Sequence, residues 1–399
     1  MSIRRLRSLP GPPGRTGSPR KALPAMALLA LLLCAPPVAG DSRLETQAFG
    51  NLHDSRLDRH FPLLSELMVG GHVLPGLHRN FVPQGVDYLA GHEGEAVLSG
   101  YFCKRFTARY RGPFRRCVLK RSALYLFDLE SGRAQRLALL EEPDGTPMRR
   151  HAGGVAELYE RLWLPDNFVV FRFSLEALRT ADEPVITLRP ENERAIGVDA
   201  SGDFITAHEG TLWIGNFQRG RRGNPLPAHY QAPDAETRGW TAGYRIDQDT
   251  LRPVSQARYR VNFAGVAFEV YRPDAALHHR NKVQGMTFLD DTRVVLSTSF
   301  GPRRGALAFH RLAAAPIGDS AEGAAVTLPD GSTLPVQSLT RATRASVIST
   351  PPGAEGVSWD GQRLAVPFEG GAMPYRQRWR WREDRLLLLT PPPDPRVDG

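Results

Sequence analysis

Five short segments of the chain share a glycine-led pattern, and polar side chains recur at two matching positions within it. The residues before the five glycines are Gln84, Gly153, Ile196, Gln284 and Glu355. The second position, just beyond the apolar strand that follows each glycine, holds Tyr101, Asn167, Phe217, Ser299 and Glu369, preceded by Gly100, Asp166, Asn216, Thr298 and Phe368. Amides, hydroxyls and carboxylates that recur at one register must face water, a ligand or each other. The pattern therefore predicts a shared polar site.

Two chemistries fit these side chains, and a third interpretation is purely structural. The first is capture of a small polar molecule or a protein surface, with the ligand-binding residues Gln84, Tyr101, Asp166, Asn216, His208, Gln284 and Ser299. The second is a lactonase- or esterase-like hydrolase, with a divalent cation such as Ca²⁺ held by Glu355, Glu369, Asn167 and Asn216. In that case Glu355 and His151 are the catalytic residues, and His151 shuttles the proton. The third is mutual hydrogen bonding that plugs the centre of the fold.

Motifs that identify common enzyme classes are absent from the sequence. It contains no Gly-x-Ser-x-Gly, no His-Glu-x-x-His, no glycine-rich phosphate loop and no Asp-rich calcium loop. The hydrolase, protease and nucleotide-binding classes that these motifs identify are therefore excluded. The sequence leaves open whether the protein is an enzyme.

The elements that must position these residues are strands. Each glycine-led strand precedes a second apolar strand, a third with period-two alternation such as Ala123 to Leu129, and a fourth. Four consecutive antiparallel strands repeated around a centre form the blade of a β-propeller. The sequence predicts an all-β propeller with five blades detected and six allowed, and a β-sandwich or two all-β domains as the alternatives. The uneven glycine spacing requires insertions at 102–121, 218–238 and 313–345.

The first 40 residues have the three parts of an export signal. A basic stretch runs through Lys21, the apolar run Met26 to Cys34 follows, and small residues end at Gly40. The apolar run is shorter than the roughly 20 residues that span a bilayer. We predict a signal peptide at 1–40, an N-terminal extension at 41–83 that packs on the propeller, and the propeller at 84–399. A permanent membrane helix and a lipid anchor at Cys34 are the alternatives.

The charge distribution and the cysteines agree with export. Six of the 51 Lys and Arg residues, and none of the 42 Asp and Glu residues, fall within the first 40 positions. The remainder is therefore close to neutral, which argues against a nucleic-acid partner. Only Cys103 and Cys117 remain after cleavage, and an even pair in an oxidising compartment predicts a disulfide, with two reduced thiols as the alternative. The mature protein is expected to be a periplasmic or secreted monomer without a transmembrane anchor.

Short motifs carry a resemblance to known propellers. They are Gln284-Gly-Met286 with Leu296-Ser297, His151 to Val155, and Glu355-Gly-Val357 with Pro367 to Gly371. These motifs resemble those of uncharacterised secreted bacterial β-propeller proteins, which are similar to the six-bladed class of gluconolactonases and strictosidine-synthase-like proteins. Calcium-dependent lactonases of that class place an acid and amides around a metal. The resemblance implies Glu355 as the acid here, with Asn167 and Asn216 as the amides.

Overall fold

The structure is a computed structural model that describes residues 41–47, 55–106, 117–219, 226–232, 237–313, 324–376 and 379–393. The predicted signal peptide lies outside these residues, as do parts of the three expected insertions. The described chain is all-β with short helices. The helices are α1 (Ser55–His60), α2 (Pro62–Leu67), α3 (Leu175–Thr180) and α4 (Met373–Arg376), with single 3₁₀ turns at Leu77–Arg79, Ala228–Tyr230 and Glu369–Gly371.

Five principal sheets contain nearly all the described strands. Sheet 1 is Phe81–Tyr88, Glu95–Phe106, Cys117–Asp128, Arg133–Leu140 and Val185–Leu188. Sheet 2 is Ala156–Leu158, Arg161–Asp166, Val169–Ser174 and Ile196–Gly197. Sheet 3 is Phe204–His208, Thr211–Gly215, Gly239–Asp247, Ala275–His279, Thr333–Ser338 and Ala324–Thr327, with Arg252–Pro253 beside its third strand.

Sheets 4 and 5 follow the same plan. Sheet 4 is Val283–Asp290, Arg293–Thr298, Gly305–Arg311 and Arg344–Thr350. Sheet 5 is Ser358–Trp359, Leu364–Val366, Arg385–Leu389 and Met68–Val73. Arg258–Phe263 and Val266–Tyr271 form a separate two-stranded hairpin.

The sheets are arranged as a β-propeller, as the sequence predicts. Their first strands contact one another in the cyclic order of sheets 1, 2, 3, 4 and 5, and the first strand of sheet 5 returns to that of sheet 1. The first four strands of each sheet are antiparallel neighbours that run from the centre outwards, and the fifth strands of sheets 1 and 3 pair in parallel. The point where first strands begin and second strands end is one mouth of the central axis.

Glycines close the centre of this ring. A Cβ atom added to Gly85 would lie 2.6 Å from Cα of Gly154, and one on Gly285 would lie 2.6 Å from Cα of Gly356. Gly356 in turn contacts Gly85, and its backbone N–H donates a 2.8 Å hydrogen bond to the carbonyl of Gln84. The first strands therefore approach at backbone distance, which only glycine permits. We call these four residues the glycine waist.

The predicted opening at Ile196-Gly197 is wrong. Ile196 pairs with Val170, which makes this pair of residues the outermost strand of sheet 2. The first strand of sheet 3 is Phe204–His208, where the Phe204 ring takes the space over Gly215: a Cβ on that glycine would lie 1.9 Å from the ring. In sheet 3 the glycine therefore lies on the second strand instead of the first, and the glycine pattern in the sequence did not identify this first strand.

Several predicted outer strands belong to neighbouring sheets. The expected fourth strand of the second unit, Val185–Leu188, pairs in parallel with Arg133–Leu140 of sheet 1. The expected fourth strand of the fourth unit, Ala324–Thr327, joins sheet 3. The true fourth strand of sheet 4 is Arg344–Thr350.

The N-terminal segment closes the ring. Met68–Val73 pairs antiparallel with Arg385–Leu389 and so supplies the outermost strand of sheet 5. The sequence from Leu57 to Val69 predicts a single helix, but the structure has two short helices and the start of this strand there. Pro62 lacks a backbone N–H and begins α2, which interrupts the helix at Phe61. Leu57, Phe61 and Leu64 pack against sheets 4 and 5.

The predicted disulfide is confirmed. Cys103 and Cys117 are bonded, with their Cα atoms 5.7 Å apart, on the paired second and third strands of sheet 1. Among the described residues, none of the helices has the length and apolar character that crossing a bilayer requires.

Candidate functional site

The mouth of the propeller axis begins at the residues before the glycine waist. Because the first strand of sheet 3 begins at Phe204, its residue at the equivalent position is Asp203. The five residues at this position are Gln84, Gly153, Asp203, Gln284 and Glu355, of which Gly153 has no side chain. Gly153 abuts the carbonyl of Asp203 and Gly154 abuts Phe204, which aligns the two strands. The sequence pattern missed Asp203 because the strand that it opens carries phenylalanine in place of glycine.

Two glutamates lie side by side at this mouth because of the strand pairing in sheet 5. Ala354 and Phe368 form an isolated antiparallel bridge, and the Glu369 N–H donates to the carbonyl of Gly353 at 2.8 Å. Glu355 and Glu369 each follow a member of that bridge, so their side chains project from the same face as diagonal neighbours. Ala354 and Phe368 project from the other face and are fully buried in the core.

Burial and mutual repulsion hold protons on this pair. The side chain of Glu355 is only 2% exposed, and burial together with the negative charge of Glu369 raises its pKa well above the ordinary value. Burial also raises the pKa of Glu369 to about 7, against the opposing effect of hydrogen bonds from Tyr375 and Gln84. Near neutral pH the pair therefore retains at least one proton.

Amides bridge the two acids to the neighbouring sheets. The Gln284 side-chain amide donates to Oε1 of Glu355 at 3.1 Å, and the Gln84 side chain hydrogen-bonds Glu369. Gln84 also donates to the carbonyl of Pro83 at 2.8 Å. Sheets 1, 4 and 5 thus each contribute a side chain to one hydrogen-bonded cluster.

A phenolic and cationic wall stands beside the acids. Tyr101 and Tyr375 hydrogen-bond each other, and the pKa of both phenols is raised by burial and by the negative charge of Glu369. The Lys120 ammonium lies 4.2 Å from the centre of the Tyr101 ring, and its positive charge acts on Glu369. Neither Tyr375 nor Lys120 was among the residues predicted from the sequence.

His151 lies at the edge of this wall, with its ring centre 5.5 Å from that of Tyr101. The imidazole is open to solvent, yet the surrounding protein desolvates its charged form, and Lys120 adds a positive charge nearby. These two effects, desolvation first, lower the pKa of His151 to about 3. The ring is therefore neutral at physiological pH and acts as a hydrogen-bonding group.

The other predicted residues are distributed more widely. Asp166 accepts from the His151 N–H and pairs with Arg150, both at 3.2 Å, so it belongs to the rim. Oδ1 of Asn216 accepts a 2.6 Å bond from the backbone of Trp240, and Asn167 is exposed in a left-handed turn. Ser299 is buried, and its hydroxyl has no partner among the described residues.

His208 lies at the opposite end of the axis, at the last residue of the first strand of sheet 3. There its Nε2 is 2.9 Å from a carboxylate oxygen of Asp291, and its ring stacks on Phe288. Within the described residues, His208, Glu209 and Asp291 are the one group of three or more His, Cys, Asp or Glu side chains close enough to share a metal ion. The structure does not join Glu355 and Glu369 to such a group.

We predict that the acid pair makes stability fall as the pH rises. Each glutamate releases its proton near pH 4.5 when unfolded, whereas folded Glu369 holds it to about pH 7. The free energy of unfolding should therefore decline between these two pH values. Urea unfolding of wild type and Glu355→Gln at pH 5 and pH 7.5 measures this decline.

The variant should lose less stability over that interval, because it removes Glu355, whose pKa is raised well above the ordinary value by burial and by the charge of Glu369. Other buried acids such as Glu383, whose pKa burial raises to about 8, cancel in the comparison. Identical pH slopes for the two proteins would show that the pKa of Glu355 is not raised in the folded protein.

Comparisons with known proteins find similarity in structure and none in sequence. No protein-family model and no curated protein matches the chain. Among solved structures, a nidogen/laminin complex is similar with 11% identity over 74% of each chain and a TM-score of 0.33. The PQQ-bound aldose sugar dehydrogenase from Streptomyces coelicolor is similar with 16% identity over 80% of this chain and 85% of that one, at a TM-score of 0.36. The chain is a β-propeller with a buried acidic pair at one axial mouth.

Proposed function

We propose that this protein is an exported β-propeller that binds a small polar ligand at the axial mouth. The observation that carries the proposal is the Glu355–Glu369 pair, which is held between amides from two other sheets and two phenols. Burying two acids together costs folding free energy. Natural proteins place such groups with strongly shifted pKa values at functional sites far more often than elsewhere.

Access to the cluster favours a binding site over a structural plug. Glu355, Gln84 and Tyr101 are buried and form the floor, whereas Glu369, Gln284, Lys120 and Tyr375 are half-buried and His151 is exposed. A plug would satisfy its polar groups internally and exclude water. Here the polar groups lead from solvent down to the acids, as in a ligand site with convergent polar side chains.

The chemistry of the cluster favours an uncharged ligand with several hydroxyl groups. A pair of acids that retains a proton offers both a donor and acceptors, and the amides and phenols do the same. Lys120 is the cation nearest to the pair in the described cluster, and it offsets the charge of the pair when one acid is ionised. A polyol or a sugar presents the alternating donors and acceptors that such a surface can match.

We predict that Glu355→Gln weakens ligand binding without a large loss of stability. The Glu355 side chain is neutral over much of the accessible pH range, so glutamine replaces it at nearly equal size and charge. The glutamine nitrogen can only donate, however, where the second oxygen of the acid can also accept, and the loss of that acceptor should reduce affinity by about tenfold. Calorimetric titration with glucose, galactose and myo-inositol, together with melting temperatures, measures both effects.

Asp87→Asn is the matched control. Asp87 lies beyond the glycine waist on the first strand of sheet 1, its pKa is raised to about 7 by burial, and it accepts a 2.6 Å hydrogen bond from Ser358. This variant should keep wild-type affinity. Equal affinity of wild type and Glu355→Gln for every compound that binds would refute the proposal, as would a collapse of folding in Glu355→Gln alone.

A metal-assisted hydrolase is the second candidate, and the geometry revises its ligand set. Gln84 and Gln284, rather than Asn167 and Asn216, are the amides that contact the two glutamates. Together these four side chains offer carboxylate and amide oxygens, the ligands that Ca²⁺ prefers. A bound cation would polarise a substrate carbonyl. The low pKa of His151 makes it a weak base at neutral pH, so we assign it hydrogen bonding rather than proton transfer.

The two candidates separate in one assay series. If the hydrolase is correct, CaCl₂ raises the melting temperature, and the protein cleaves glucono-δ-lactone or p-nitrophenyl acetate in a manner that EDTA abolishes. If the binding function is correct, the polyols bind equally well in the presence of EDTA, and no turnover is seen.

We also infer export to the periplasm or the exterior, with residues 1–40 as a cleaved signal, 41–83 as an extension and 84–399 as the propeller. The Cys103–Cys117 disulfide supports an oxidising compartment. The similarity to the six-bladed lactonase class is part of this proposal.

A further inference from the structure

A second cavity lies away from the mouth, where the N-terminal helices pack against sheet 5. It has a volume of about 180 Å³ and is lined by Arg56, Arg59, His60, Arg380 and Trp381. Four of these five residues are basic or can become so, and none is acidic. We call it the basic–aromatic cavity.

The fold brings these residues together from two distant parts of the sequence. Arg56 to His60 belong to α1, which is held in place by buried Leu57 and Phe61. Trp381 follows the buried Trp379, and its ring meets Phe61 edge-on at 5.9 Å and His60 at 5.6 Å. The hydrophobic contacts thus set the arginines around one space.

Arginines also lie on the aromatic rings beside the cavity. The Arg304 guanidinium is 4.8 Å from the Phe61 ring centre and 4.9 Å from that of Trp381, and Arg380 is 4.9 Å from Trp381. These cation–π contacts fix the guanidinium planes and leave their N–H groups free for a ligand.

The charges in the cavity lack acidic partners within the described part of the chain. Arg56, Arg59 and Arg380 form no ion pair there, in contrast to Arg150 and Arg172, which are paired with glutamates. The nearest acid on α1, Asp58, accepts a hydrogen bond from Ser65 of α2 and does not line the cavity. Like charges that gather without counter-charges repel each other, and an anion relieves that repulsion.

We propose that the basic–aromatic cavity binds a small organic phosphate or sulfate monoester. The guanidinium groups match a tetrahedral oxyanion with paired hydrogen bonds, and the indole ring of Trp381 packs against the organic part of the ligand. The cavity volume suits a single small molecule rather than a folded partner. This site is separate from the axial mouth, so its occupancy does not depend on the function proposed for that mouth.

Calorimetric titration at low salt with phenyl phosphate, phenyl sulfate, inorganic phosphate and acetate tests the proposal. The two aryl esters should bind more tightly than inorganic phosphate, and acetate should bind most weakly. A preference between phenyl phosphate and phenyl sulfate identifies which ester the site is built for. Quenching of tryptophan fluorescence by the aryl esters should disappear in Trp381→Leu.

The double variant Arg59→Gln, Arg380→Gln should lose about tenfold or more in affinity, because it removes charge-assisted hydrogen bonds to the oxyanion. The matched control is Arg194→Gln, Arg252→Gln, which removes two exposed arginines at a different cleft and should retain wild-type affinity. Both double variants replace exposed side chains outside the core, and circular dichroism checks that each variant is folded. The proposal is overturned if acetate binds as well as the esters, if no ester binds at millimolar concentration, or if both double variants lose affinity equally.

Discussion

Gly85→Ala is expected to destabilise the propeller by about 3 kcal/mol or more, because overpacking against backbone atoms cannot be relieved by rotating a side chain. The added methyl group would lie 2.6 Å from Cα of Gly154 and 2.9 Å from the backbone nitrogen of Val155. Those atoms belong to the first strand of the adjacent sheet, so the clash pushes two sheets apart at the axis. Urea unfolding of the purified variant at pH 7 measures the loss.

Gly91→Ala is the control for this effect. Gly91 follows the same strand, in the hairpin turn, with φ +71°, and no other residue lies within 4 Å of the position that its Cβ would take. Alanine there carries the backbone strain of a left-handed residue, about 1–2 kcal/mol, without the steric clash. If Gly85→Ala cost no more than Gly91→Ala, the glycine waist would not be a tight contact in solution. A further check is Gly285→Ala, which should behave like Gly85→Ala because its Cβ would meet Gly356 at the same distance.

The same contacts explain what the sequence could and could not predict. Four of the five segments that open a sheet at the axis were found because close approach there requires glycine, and a glycine at a repeated position can be recognised in the sequence. The fifth was missed because Phe204 replaces glycine at this position and Gly215 on the neighbouring strand makes the room instead. A search for a glycine on either of two paired strands would have found it.

Outer strands were assigned less well for a different reason. An outer strand is recognised by alternation alone, and alternation does not say which sheet edge the strand pairs with. Val185–Leu188 and Ala324–Thr327 both read as strands and both are strands, but each pairs with the sheet of the preceding unit. Met68–Val73 precedes the first repeat in the sequence and nevertheless completes the last sheet, a long-range pairing that no local pattern encodes.

The candidate site was predicted in part. Gln84, Tyr101, Gln284, Glu355 and Glu369 share positions in the repeats, and the structure brings these five into one cluster. Tyr375 and Lys120 were not predicted because they do not occupy a repeated position. Tyr375 lies in α4, and Lys120 follows Cys117 of the disulfide on the third strand of sheet 1. The register of the repeats locates side chains on the inner strands, but it carries no information about insertions that fold back over the mouth.

Asp199→Asn is expected to produce a second large loss of stability, on the order of 3 kcal/mol or more, because it disrupts a buried network in which one side chain makes three hydrogen bonds and would leave buried partners unsatisfied. Asp199 is fully buried, and its carboxylate accepts hydrogen bonds from His229 at 2.7 Å, from Tyr230 at 2.7 Å and from Tyr259. These partners lie on a 3₁₀ turn and on the separate hairpin. The Asp199 side chain therefore ties the end of sheet 2 to the 3₁₀ turn and to the hairpin, which also packs on the Phe168 ring of sheet 2.

The chain supplies a matched control in its other aspartate–histidine pair. His208 and Asp291 are 2.9 Å apart, with the same chemistry, but the Asp291 side chain is 70% exposed. Solvent screens that pair, so Asp291→Asn should cost about 0.5 kcal/mol or less. Urea unfolding of both variants, with hydrogen exchange to follow the hairpin at 258–271, gives the comparison. A large difference between the two variants assigns the stabilisation to the buried hydrogen bonds of Asp199, whereas equal and small effects would mean that the hairpin is held without them.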